Sequence, residues 1–113
     1  MTPGSPETIT WFKELMSGYA QATVRPMFGH VAAMVNGRMA VGTYGEDITL
    51  RLGEAEAAEA VRELGAVPFE PMPGRAMTGY WLVPGSARDD EPRLREWLER
   101  ALEFTAGLPP KKK

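Results

Sequence analysis

Cysteine is absent from this 113-residue sequence, which removes disulfides, thiolate nucleophiles and cysteine-ligated metal. Histidine occurs once, as His30, so a histidine-based triad or metal site would have to draw its other members from scattered carboxylates and hydroxyls. Long apolar runs are missing as well. No stretch approaches the roughly 20 residues that span a bilayer, and residues 1–6 hold no basic segment followed by an apolar one. A cytoplasmic protein with no membrane association is therefore expected. Positive charge is not in excess: 13 Lys and Arg against 15 Asp and Glu give a net charge of −2. The basic footprint with which a protein neutralises phosphates is lacking, and direct nucleic-acid binding is not expected. It would need Arg25, Arg38 and Arg51 to converge on one surface. Nor is there a phosphate loop, because neither Gly42 nor Gly45 is followed by the lysine and hydroxyl that such a loop requires.

What is present reads as one globular domain, expected over residues 6–108 between a flexible start (1–5) and a basic flexible tail (109–113). Ile9, Phe12, Leu15, Met16 and Tyr19 recur at helical spacing and predict a first helix from Pro6 to about Ala20, with Ser5 as its cap. Trp11 falls beside that stripe, where it either widens the buried face or marks a contact surface. Asn36-Gly37 between Val31–Val35 and Arg38–Tyr44 predicts a hairpin with a two-residue type I′ turn. Strict alternation in Ile48-Thr49-Leu50-Arg51-Leu52 predicts a third strand, with Thr49 and Arg51 facing away from the core. A helix from Glu54 to Leu64 follows, its buried stripe drawn from Ala57, Ala60, Val61 and Leu64 and its end set by Gly65. Val67 to Phe69 reads as a short edge strand because of Pro68. After a proline-rich loop comes a strand from Met77 to Val83, then a helix beginning near Ser86–Asp90 and running to about Ala106. The order α-β-β-β-α-β-β-α predicts an α+β fold: an antiparallel sheet with helices mainly on one face.

Read together, Met27-Phe28-Gly29, the Asn-Gly hairpin, Arg51-Leu52-Gly53 and Phe69-Glu70-Pro71-Met72-Pro73-Gly74-Arg75 with Met77, Gly79 and Tyr80 resemble the N-terminal domain of the TfoX/Sxy family. The resemblance spans nearly the whole chain. It implies a compact two-layer α+β domain of the secretion-chaperone-like type. For the named regulators of bacterial competence it implies transcriptional control beside a catabolite-activator-type protein. Those regulators carry a second domain for which this sequence leaves no room, so the expectation is a freestanding single-domain relative.

Few residues point to chemistry. Pro73-Gly74 is suited to a turn that presents the Arg75 guanidinium to an anion or carboxylate; the alternative is that Arg75 pairs with Glu70 and pins the loop. Arg38, Tyr80 and His30 complete the candidate interaction or anion site. His30 is expected to serve structure rather than catalysis, and of Tyr80 and Trp81 one ring should face the core. The methionines suit core filling or an adaptable surface. Glu46-Asp47 and Asp89-Asp90-Glu91 fit turn formation and helix-dipole complementation. No cofactor or metal is implied. The leading expectation is a non-enzymatic regulatory or adaptor-like interaction domain that forms a homodimer. A small-molecule or anion-binding domain using the Arg75 loop, possibly a weak enzyme, is the second.

Overall fold

The computed structural model describes residues 6–27, 30–70, 74 and 79–108. The elements are α1 (Pro6–Met16), β1 (Thr23–Met27), β2 (His30–Val35), β3 (Arg38–Tyr44), β4 (Asp47–Arg51), α2 (Glu54–Leu64), β5 (Val67–Pro68), β6 (Tyr80–Val83) and α3 (Glu91–Ala106), with a 3₁₀ turn at Gly85–Asp89 before α3. The strands form one antiparallel sheet in the order β1-β2-β3-β4-β6-β5. This is the expected α+β order with one strand added in front. Thr23–Met27 escapes a reading of the sequence because Pro26 and a single inward apolar residue, Val24, give no alternation to detect.

Local chemistry accounts for the element ends. Asn36 and Gly37 take φ of 53° and 80°, the left-handed pair that a type I′ hairpin demands. α1 stops at Met16, short of Ala20, where the Ser17 hydroxyl donates to the Glu14 carbonyl at 2.6 Å and competes with helix continuation. Gly65 ends α2 at φ 71°. Asp90 caps α3, its carboxylate accepting from the Arg93 N–H, so the acidic cluster there does the work of a helix start.

One face of the sheet is the main core. Val31, Ala33, Val35, Val41, Ile48, Leu50 and Val83 meet Phe12, Leu15 and Met16 of α1 and Leu94, Trp97, Leu98, Ala101 and Leu102 of α3. α2 joins only through Ala57 and Ala60; Val61, expected in its stripe, is 44% exposed, because a stripe of small residues brings the helix in along one narrow line. β3 carries one extra residue, Ala40, between the pairs Ala33↔Val41 and Met34↔Met39. Such a bulge sharpens local twist.

Both sheet edges are blunted. The Val31 N–H points toward β3, donating to Thr43 Oγ1 at 3.1 Å. Its cross-strand partner Pro26 therefore turns its donor-less nitrogen to the open edge, where strand addition would need an N–H. The other edge, β5, is two residues long and includes Pro68.

Candidate functional site

Two regions hold the polar side chains that the fold brings together. The first is the helix-free face, where Arg25, Ala32, Gly42, Thr49, Leu82 and Val67 form one cross-strand row and Arg51 pairs with Tyr80 in the next. Simple alternation would leave this face to solvent, yet Ala32, Thr49, His30, Tyr80 and Phe69 are all buried. The cause is curvature. Tyr44 belongs to β3 and Phe69 follows β5, three positions apart in the strand order, about 14 Å in a flat sheet. Their rings nevertheless meet edge to face at 5.0 Å, so the sheet curls toward the side without helices.

His30 also stacks on Tyr44, with ring centroids 5.0 Å apart. Its Nδ1 accepts the Gly45 N–H at 3.2 Å, which only an imidazole unprotonated at Nδ1 can do. Burial pushes its pKa below the ordinary 6.5, since charging the ring would take it out of water. Between that lowered pKa and about 6.5 the unfolded chain binds the proton and the folded chain does not. The stability from neutral His30 is therefore complete above about 6.5 and lost progressively as pH falls. Urea unfolding followed from pH ~8 to ~5 should show this loss in the parent chain. In His30→Asn, whose amide oxygen can still accept from Gly45, it should be shallower; parallel curves would refute the role.

Tyr80 is buried on the same face, its hydroxyl donating to the Met39 carbonyl at 3.0 Å, and the Arg51 guanidinium carbon sits 4.9 Å from its ring centroid. Trp81 takes the opposite side and packs on the main core. Arg38 flanks the hairpin turn opposite Val35, whose side chain is in the core. Arg25, Arg38 and Arg51 thus share no row of the sheet. Arg75, Met72 and Met77 lie outside the described residues; of their loop, Glu70 accepts the Gly74 N–H at 3.2 Å.

The second region lies where α1, the β3–β4 turn and the 3₁₀ turn meet. An open groove of about 670 Å³ is lined by Glu7, Trp11, Glu46, Asp47, Arg88 and Asp89 among others. At its base the buried Thr8 hydroxyl accepts from Arg88 Nη1 at 2.9 Å and donates to the Glu46 carboxylate, whose oxygens lie 2.7 and 2.8 Å away. Arg88 also sits over the Trp11 ring at 5.3 Å, and the indole N–H points at Glu91, 3.4 Å away. Asp47 accepts the Gly85 N–H at 2.8 Å. Glu46 and Asp47 are therefore tied into the fold beyond the turn they form. Sequence reasoning missed Thr8 and Arg88. Thr8 was detectable, since it stands four residues before Phe12 and seven before Leu15, on the apolar stripe; Arg88 gave no signal.

Among the described residues no group of three His, Asp or Glu side chains is placed to hold a metal, and no helix is long and apolar enough to cross a membrane. Fold and surface define a small α+β domain with a curled six-stranded sheet and all three helices on one side. The family model of the TfoX N-terminal domain matches residues 14–105, and the chain belongs to that family. No curated protein and no solved structure matches it.

Proposed function

We propose that this chain is a non-enzymatic regulatory or adaptor-like domain that works through contacts with other proteins. The observation that carries the reading is membership of the TfoX N-terminal domain family across residues 14–105, a family best known for competence regulators. A bacterial cytoplasm is the setting that goes with it. The groove at Trp11 supports it, because a half-buried indole beside an arginine and a ring of carboxylates combines an aromatic anchor with a polar rim. Self-association belongs to the same proposal. Since both edge strands carry a proline, the dimer contact is assigned to the groove or the helical side and not to strand pairing.

The test compares the tagged chain with Trp11→Ala in affinity capture from the native cell, with sedimentation of the same preparations. A partner retained by the parent and lost by the variant, and a sedimenting mass above the 12.4 kDa of one chain, are expected. Capture unaffected by Trp11→Ala would remove the groove from the proposal; no specific partner and a purely monomeric species would remove the proposal itself.

A further inference from the structure

We infer that the helix-free face carries a binding site for a small organic monocarboxylate, built on Arg51 and Thr49. All five arginines of α2, α3 and the 3₁₀ turn have oxygen partners. Arg93, Arg95 and Arg100 pair with Glu63, Glu91 and Glu59, Arg88 bonds Thr8 and the Gly85 carbonyl, and Arg62 reaches the Ala58 carbonyl. Arg51 is different. It is half-buried, its contact is the Tyr80 ring, and its Nε is closed off from solvent with no acceptor.

Two residues earlier on the same strand face, Thr49 is 2% exposed and its Oγ1 also has no partner. Opposite Thr49 stands Gly42, where a Cβ would lie 3.0 Å from Thr49 Oγ1 and 3.4 Å from Met39 Sδ. The Val31 carbonyl oxygen, 3.1 Å from the same point, and the Met39 thioether are the other atoms that border the bare glycine there.

Buried hydrogen-bonding groups are almost always satisfied, and a guanidinium can only donate. What is missing is an acceptor. Residues i and i+2 of a strand stand on the same face with Cα atoms about 6.6 Å apart. The two side chains are therefore neighbours, and a carboxylate has two oxygens with which to accept from both. The charge fits a monoanion, because among the described residues Arg51 is the one cation of its row and Arg25 lies three strands away. A phosphate dianion would keep an uncompensated negative charge. Tyr80, Leu82 and Met39 offer the acid an apolar surround. Met39 is half-buried and unbranched, and admission of the acid requires its thioether to swing aside from the Thr49 hydroxyl.

Benzoate, benzamide, inorganic phosphate and a terminally blocked peptide with one glutamate, titrated into the ¹⁵N-labelled full chain, test the site. Benzoate should shift the Gly42, Thr49 and Tyr80 amides saturably, and benzamide and phosphate should not. Arg51→Met should weaken benzoate binding about tenfold or more, and Thr49→Val about fivefold. Thr49→Val should not lower the melting temperature of the free chain, because its hydroxyl has no partner to lose. Arg51→Met should lower it by no more than the contact with the Tyr80 ring is worth. Equal response to benzamide, binding to the peptide alone, or unchanged affinity in the two variants would overturn the assignment. Should Arg51→Met fail to fold, the arginine is structural and the assignment falls with it, unless Thr49→Val weakens benzoate as stated. The contact reading above is tested by Trp11→Ala, on another surface, and stands or falls separately.

Discussion

Phe12→Ala will destabilise the chain by about 3–5 kcal/mol. Phe12 is fully buried and is the large aromatic with which α1 enters the core beside Leu15 and Met16. Truncation removes its transfer free energy and leaves a cavity between α1 and the sheet, which a helix of 11 residues held by few other side chains closes only in part. The family match begins at residue 14, yet this anchor precedes it. Urea unfolding of the two chains decides the matter. A loss below about 1 kcal/mol would mean that α1 is an appendage and not part of the cooperative unit.

Gly85→Ala carries the second large effect, about 2–4 kcal/mol. A Cβ built at Gly85 collides with the Glu46 main-chain carbonyl oxygen and lies 3.2 Å from its carbon. Backbone, unlike a side-chain tip, cannot swing aside. The β3–β4 turn would have to retreat, stretching the Gly85 N–H bond to Asp47 and disturbing the Thr8–Glu46 contact. The adjacent Ser86→Ala, at an exposed position, should stay within about 0.5 kcal/mol of the parent. Similar melting temperatures for the two variants would show that the turn has room to move. A drop confined to Gly85→Ala would identify the junction of α1, turn and 3₁₀ segment as a packed unit.

Much of the architecture was legible because its signals are local. Asn36-Gly37 named its own turn, the alternation around Leu50 named its strand, and Leu94, Trp97, Leu98, Ala101 and Thr105, all buried, named the inner face of α3. Less local features escaped. β1 had too few residues and a proline. The 3₁₀ turn before α3 was merged with the helix start, since both favour the same polar residues. Arg51 looked like the outward partner of an alternating strand, and its missing acceptor is visible only when every neighbour is in place. Of the four residues proposed for the interaction site, His30 and Tyr80 share the curled face, Arg38 stands at the hairpin turn, and Arg75 lies outside the described residues.

By itself the sequence determined eight of the elements and their order, the absence of thiol chemistry and the family, because turn residues, periodicity and composition act over a few positions at a time. Only the tertiary structure decided that the sheet curls, that its helix-free side buries Thr49 and Tyr80, and that Thr8, Glu46 and Arg88 share one hydrogen-bonded junction. Those outcomes depend on strands three places apart and on contacts 38 to 80 residues distant in the chain, separations at which no local pattern carries information.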